Sequence, residues 1–324
     1  MRPLERALRI TAQTHGVITR QQLVDCGLTP GQIRALMASG TFVKDGLAVY
    51  RAQSAPRTYE QRVAVALGLA GPEAAASHGC AARLAHLGIP GFNRAGVEIT
   101  VPHRFNRQNP RRVATLHRSR SLGPRDVTTI GSLRVTTPLR TAVDCALAPG
   151  VTLDSYRALV DDVLYRHGTP DGLRAAWLRS GRRTGRDWLE DALAPYTGGP
   201  AAESPKEMSL ARVCWLGGLP LPDRQVKVIE PRSHAVIGRC DLAYRDARVG
   251  LEYLGRRFHA PRHERADAAR HDQFDAIGWR LHYADKSHLV EPGCRLCVRE
   301  LATDLVDRLP ESHPTRLAAQ KVLA

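Results

Sequence analysis

Residues 241–255 read DLAYRDARVGLEYLG, and this stretch decides the fold of the C-terminal part of the chain. Two apolar runs meet near Asp246-Ala247, a pattern typical of two antiparallel strands. A symmetric loop about that point places Asp241 directly opposite Glu252. Because successive side chains in a strand alternate between faces, the apolar neighbours are expected on the opposite, packed face. These neighbours are Leu242, Tyr244, Val249 and Leu251.

The two carboxylates of this hairpin raise an electrostatic question. Like charges opposite each other destabilise an antiparallel pair. A divalent cation offsets that repulsion, because carboxylate oxygens are preferred ligands of Mg²⁺. Asp241 and Glu252 are therefore candidate metal ligands, with Mg²⁺ as the expected cofactor. For an isolated hairpin the alternative is a solvated face on which the acids pair with Arg239 or Arg248.

The segments around the hairpin extend the pattern. A predicted helix with Glu207 in its first turn precedes a predicted strand, RQVKVIE at 224–230. After the hairpin come a predicted helix at 263–278 and a predicted strand at 279–285. The resulting order is αβββαβ, which is the order of the PD-(D/E)XK (restriction-endonuclease-like) fold.

Residues 203–309 resemble the domain family related to very-short-patch-repair (Vsr) endonucleases. The blocks that carry the resemblance begin with SPKE at 204–207 and GLPLPDRQ at 218–225, then RCDLAYRDARVGLEYLGRRFH at 239–259 and RADAARHDQFDAIGWRL at 265–281. The resemblance implies metal-assisted hydrolysis of DNA phosphodiester bonds. It assigns Asp241 and Glu252 to the metal, Glu207 to the helix acid and His259 to the catalytic histidine, with His263 as an alternative proton carrier.

Leu254 departs from that family pattern. Two residues after the second acid the general fold usually has Lys, and this family commonly has Asp. Leucine can neither ligate a metal nor orient a water molecule, and Arg256 is the nearest electrostatic substitute. Two expectations stay open: an endonuclease weakened at this position, or a degenerate nuclease domain in a non-enzymatic regulator.

The composition favours a polyanionic partner. The 324 residues include 47 Lys and Arg against 32 Asp and Glu, a formal net charge of +15. Basic side chains that meet phosphates release condensed counterions, so double-stranded DNA is the expected partner. The alternatives are a basic surface that only aids solubility, or an interaction scaffold that never touches DNA.

No segment has the length and apolarity of a membrane span, and the N-terminus lacks the apolar block of a signal peptide. The seven cysteines are scattered along a long chain and imply no disulfide framework, so the cytoplasm is the expected location.

Residues 1–52 show the order of a winged helix-turn-helix. Capping-box patterns at Thr19/Gln22 and Thr29/Gln32 open the second and third helices, and a hairpin with a tight-turn signal at Asp45-Gly46 follows. The third helix is the one expected in a major groove. The candidate DNA-binding residues of this segment are Gln32, Arg34 and Lys44. The alternative is a winged helix used for protein contacts.

Residues 53–195 form a mixed α/β region that ends in a linker at 196–202. The segment 73–89 is rich in small residues and is predicted as one helix. No acidic residue occurs from Ile99 through Arg125, and a loop there is a candidate phosphate-contacting arm. Its candidate residues are Arg104, Arg107, Arg111 and Arg112. The alternative is an ordinary solvated face.

The first half of the chain resembles actinobacterial proteins with an AbiEi-type antitoxin N-terminal domain. The resemblance rests on residues 15–51, on ASHGCAARLAHLGI at 76–89 and on VTTPLRTAVDCA at 135–146. It implies a transcriptional autoregulator or antitoxin paired with a cognate nucleotidyltransferase toxin. With a tail at 310–324, the expected architecture is a multidomain α+β and α/β protein.

Overall fold

A computed structural model describes residues 1–88, 96–105, 113–196, 204–254 and 270–324. It is a mixed α/β structure that divides into two compact units, Met1–Asp191 and Ala192–Ala324. The described residues form three sheets. This division is coarser than the expected segments, whose boundaries stay predictions.

The first unit begins with three helices and three strands. The helices are α1 (Pro3–Gln13), α2 (Arg20–Asp25) and α3 (Pro30–Ala38), and the strands are β1 (Val17–Thr19), β2 (Phe42–Gly46) and β3 (Val49–Ala52). The strands form an antiparallel sheet in the order β1-β3-β2. Both expected capping boxes are present: the hydroxyls of Thr19 and Thr29 accept from the backbone N–H of Gln22 and Gln32, and the backbone N–H of each threonine donates to the side-chain oxygen of its glutamine.

The hairpin of this region turns two residues later than expected. Asp45 and Gly46 belong to β2, and the turn is made by Leu47 and Ala48, with Ala48 at φ 60°. The prediction of a tight turn at Asp45-Gly46 is therefore wrong. The ladder shifts register between Lys44 and Gly46, and Asp45 accepts a hydrogen bond from Arg51 Nε at 3.0 Å. An irregular ladder and a buried arginine partner hold the Asp-Gly pair within the strand.

The rest of the first unit has a five-stranded sheet in the order β6-β5-β4-β8-β7. Its strands are β4 (Ala75–Ala76), β5 (Glu98–Pro102), β6 (Thr115–Ser119), β7 (Val127–Ile130) and β8 (Leu133–Thr136). Its helices are α4 (Tyr59–Ala70), α5 (His78–Leu84), α6 (Pro138–Cys145), α7 (Leu153–His167) and α8 (Pro170–Ser180). The helix predicted over 73–89 is wrong in its first part, which forms β4, because small residues fit the centre of a sheet as well as a helix.

Helix α9 (Arg186–Leu193) crosses from the first unit to the second, where α10 (Pro205–Leu216) opens the sheet domain. Strands β9 (Asp223–Ile229), β10 (Val236–Tyr244) and β11 (Val249–Tyr253) follow. A helix α11, described over 270–276, precedes β12 (Arg280–Ala284), α12 (Gly293–Arg308) and α13 (Pro314–Leu323). The sheet order is β12-β11-β10-β9, parallel only between β11 and β12.

Both faces of this sheet are packed. Leu242, Tyr244, Val249 and Leu251 are buried in a core with residues of α10 and α12, which confirms the predicted packed face. On the other side, Cys240 and Ala243 pack with Phe274 of α11. The residues expected as a tail contain α13, whose Ala319 is fully buried in the first of these cores.

Candidate functional site

The register of the β10–β11 hairpin is the one expected. Leu242 pairs with Leu251, Ala243 with Gly250 and Tyr244 with Val249. Continuing this register by one residue sets Asp241, within β10, opposite Glu252, near the end of β11. We call these two carboxylates the acidic pair.

Each member of the acidic pair has an identified partner. Asp241 is half-buried, and its Oδ2 accepts a hydrogen bond from the Tyr253 backbone N–H at 3.0 Å. Glu252 has a side chain that is 13% exposed, and its Oε1 lies 2.5 Å from Arg270 Nη2. The same guanidinium nitrogen donates to the Arg239 carbonyl at 2.6 Å. The acidic pair is therefore held by a backbone amide on one side and by an arginine on the other.

The pKa of the Cys240 thiol depends in part on the negative charge of the acidic pair. Burial and then the Glu252 carboxylate raise the pKa of the Cys240 thiol to about 12, against the opposing effect of Arg270. Asp241 adds a smaller contribution in the same direction. A thiol between these charges stays neutral at ordinary pH, so it neither competes for a cation nor adds to the negative charge.

Glu207 lies in the first turn of α10 and is 6% exposed. Its Oε2 accepts a hydrogen bond from Gln225 Nε2 at 2.8 Å. In the β9–β10 ladder Arg224 pairs with Leu242, so the same register places Gln225 beside Asp241. Gln225 has a left-handed backbone, at φ 52°. The helix acid is thus linked to the strand that flanks the acidic pair.

The carboxylate oxygens of the acidic pair are ligands of the kind that a hard divalent cation prefers. Mg²⁺ is commonly held by one or two carboxylates together with waters and substrate phosphates, and the acidic pair supplies two such groups. Within the described ranges, no three His, Cys, Asp or Glu side chains form a metal-binding group. Asp241 and Glu252 stay the candidate metal ligands expected from the sequence.

Leu254 lies one residue beyond the end of β11. Its N–H donates to the Ala284 carbonyl at 2.7 Å, which continues the contact with β12. Its side chain is half-buried and brings no polar group to the strand end. His259, the expected catalytic histidine, lies outside the described residues, as do His263 and Arg256.

The candidate DNA-binding residues have different surroundings. Arg34 and Lys44 are exposed on α3 and β2. Gln32 is exposed, but its Oε1 accepts from the Thr29 N–H at 2.9 Å as part of the capping box. Arg104 is exposed and pairs with Glu73 at 2.6 Å. The remaining members of the expected arm, Arg107, Arg111 and Arg112, lie outside the described residues.

A buried polar cluster in the first unit was not anticipated from the sequence. His78 and His117 stack with ring centroids 3.7 Å apart, and His117 Nε2 lies 3.3 Å from Glu98 Oε1. Ser77 Oγ lies within hydrogen-bond distance of His78 Nδ1 and accepts from Thr100 Oγ1. Glu98 and Thr100 are two residues apart on β5 and so share one face of the strand, and His117 pairs with Thr100. That alternation of polar side chains in VEITVP was the signal available in the sequence.

A buried ion network lies beside this cluster. Arg140 is 4% exposed and donates to Asp126 Oδ2 at 3.3 Å and to Asp144 Oδ1 at 2.9 Å. Asp144 Oδ2 is buried without a hydrogen-bond partner among the described residues. Burial raises the pKa of the Asp144 carboxyl, and Arg140 opposes that shift.

Among the described residues no helix combines the length and apolarity that crossing a bilayer requires. Neither the known protein-family models nor the curated proteins contain a match to this chain.

Proposed function

We propose that this protein binds duplex DNA and that its C-terminal unit is a nuclease-like domain in which Asp241 and Glu252 hold a divalent cation. The observation that carries the proposal is the acidic pair, two carboxylates set opposite each other on β10 and β11. The order α10, β9, β10, β11, α11, β12 supports a PD-(D/E)XK-like domain. The resemblance to the Vsr-related family points the same way.

DNA binding is supported by the first unit and by the charge. The order of α1, β1, α2, α3, β2 and β3 is compatible with a winged helix-turn-helix. On the third helix, Ile33 is buried and Arg34 is exposed. Lys44, on the strand that follows, is exposed as well. The net charge of +15 favours a polyanion over a neutral or acidic partner.

The residues around the acidic pair define what each would contribute. Asp241 and Glu252 would hold the Mg²⁺, which would lower the pKa of a bound water and offset charge that develops on the phosphate. The Tyr253 N–H fixes the orientation of Asp241, whereas Arg270 pairs with the Glu252 carboxylate that a cation would need. Gln225 carries the contact from Glu207 to the neighbouring strand. The Tyr253 contact orients Asp241 before a cation arrives.

A second candidate function is a non-enzymatic regulator of the antitoxin type, with a toxin protein as partner. Two observations favour it. Leu254 supplies no group that can orient a nucleophilic water, and Arg270 already neutralises Glu252. In this case the C-terminal unit keeps the nuclease-like sheet and serves in binding.

One experiment separates these candidates. Supercoiled plasmid is incubated with the protein and Mg²⁺ or Mn²⁺, beside the variant Asp241→Asn. We expect nicking or linearisation that is lost, by on the order of a hundredfold or more, in the variant, because a cation ligand is removed without change of shape. Plasmid retarded on a gel but never cut supports the regulator. Cleavage that is equal in both proteins overturns the assignment of Asp241.

A further inference from the structure

We infer that Arg270 is a displaceable latch on the acidic pair: it neutralises Glu252 in the metal-free protein and leaves that carboxylate when a divalent cation binds. This inference rests on the proposed cation site and adds a regulation of it. Arg270 is a positioning residue, since it acts through Glu252.

The contact geometry places one guanidinium nitrogen on two acceptors. Arg270 Nη2 is 2.5 Å from Glu252 Oε1 on β11 and 2.6 Å from the carbonyl of Arg239 on β10. The guanidinium therefore spans the two strands that carry the acidic pair. Because a cation at the acidic pair needs the Glu252 carboxylate, it meets Arg270 as a competitor for the same group.

The ion pair is only partly screened by water. The Glu252 side chain is 13% exposed and the Arg270 side chain 35%. A pair at this depth attracts more strongly than one on the open surface, and it also repels a second cation more strongly. The arginine charge must therefore lower the affinity of the acidic pair for a divalent ion.

The head group of the latch packs on Phe274 and is only partly hydrogen-bonded, since its buried Nε has no hydrogen-bond partner among the described residues. The Arg270 guanidinium carbon lies 5.5 Å from the centre of the Phe274 ring, which is fully buried one turn along α11. Gly238 faces both residues, and a methyl group there would approach Phe274 to 3.0 Å and Arg270 Nη2 to 3.5 Å. The long, flexible stem allows the guanidinium to leave Glu252 while the helix stays in place.

The test is Mn²⁺ binding by isothermal titration calorimetry on the full chain, without DNA. The variants are Arg270→Gln, Arg270→Lys and Arg245→Gln. The last is a control, because Arg245 pairs with Asp223 at 2.9 Å at the turn end of the hairpin, where both side chains are more exposed than those of Arg270 and Glu252. We expect Arg270→Gln to tighten Mn²⁺ binding roughly tenfold, Arg270→Lys to stay near wild type, and Arg245→Gln to change nothing.

Thermal unfolding with and without Mn²⁺ separates the latch from a merely structural role. Removal of Arg270 leaves Glu252 without this partner, so the Arg270→Gln variant should melt earlier without metal and gain more from Mn²⁺ than wild type does. Equal or weaker Mn²⁺ binding by Arg270→Gln, in a protein whose binding still depends on Asp241, overturns the latch and leaves the cation site standing. Absence of Mn²⁺ binding in every protein overturns both.

Discussion

His78 lies where a positive charge is unfavourable. The side chain is almost fully buried, stacks on His117 and is exposed to the fields of Arg140 and Arg182. Burial first, and then His117, lower the pKa of His78 well below its ordinary value of 6.5. Glu98 and Asp144 carry the acidic groups near the stacked pair, and Glu98 contacts both His117 and the Gly79 N–H beside His78.

Acid should therefore destabilise the first unit through His78. The unfolded chain takes up a proton at a pKa near 6.5 and the folded chain only at lower pH, so stability is full above that value and falls as the pH drops towards the lowered folded pKa. We expect the free energy of unfolding to fall by on the order of 1 kcal/mol between about pH 7 and about pH 5, with part of that slope lost in His78→Gln.

Urea unfolding over this pH range measures the effect. The control is His234→Gln, since His234 is exposed on the turn before β10. A wild-type slope that His78→Gln leaves unchanged would show that other groups cause the acid sensitivity.

Gly250 of β11 leaves room for side chains of its two neighbouring strands, β10 and β12. A methyl group on Gly250 would lie 2.5 Å from Cys240 Sγ and 3.0 Å from Leu281 Cδ1, both buried. The side chains of β10 and β12 thus converge over the glycine of β11. This packing holds the strand on which Glu252 lies.

Gly250→Ala should overpack this face of the sheet. We expect a loss of about 1–3 kcal/mol in the free energy of unfolding, because a methyl group in a filled core forces side chains or backbone to shift. Gly31→Ala is the control, because its new methyl group would meet only Thr29 Oγ1 at 3.9 Å on a helix surface. That change should be neutral or stabilise by up to about 1 kcal/mol. Chemical denaturation of both variants measures the difference, and equal stabilities would contradict the packing argument.

At the scale of elements, local sequence signals predict well where they are strong. Alternation and a central polar turn predicted the β10–β11 hairpin and its register, and Thr-x-x-Gln spacing predicted both capping boxes. The signals fail where tertiary packing decides. The small residues of β4 take their conformation from the strands on either side, and Asp45-Gly46 is held in β2 by Arg51.

The net charge of +15 governs how the whole molecule should respond to salt. If about six phosphates are contacted, raising salt from about 50 to about 200 mM should weaken duplex binding by about a thousandfold. The double variant Arg34→Ala/Lys44→Ala should weaken binding and flatten this dependence. Fluorescence anisotropy of a labelled duplex measures both, and binding that is insensitive to salt would favour the interaction scaffold over a DNA-binding protein.

The candidate site shows what the sequence leaves open at this scale. The adjacency of Asp241 and Glu252 was predictable because a hairpin register is local. The contacts of Arg270 with Glu252 and of His78 with His117 join segments distant in sequence, and no local pattern specifies them. Arg270 belonged to a predicted helix, but its partner follows from how that helix packs on the sheet.

The distribution of the cysteines makes thiol reactivity a measure of folding. Six of the seven are buried, and Cys294 alone is half-exposed. Burial also raises the pKa of the Cys294 thiol, so even that sulfur reacts slowly near neutral pH. A mildly alkaline solution with a maleimide reagent would therefore tag the native protein once, at the start of α12, and the unfolded protein seven times. Mass spectrometry would then count unfolded molecules directly, without any assumption about what the protein binds.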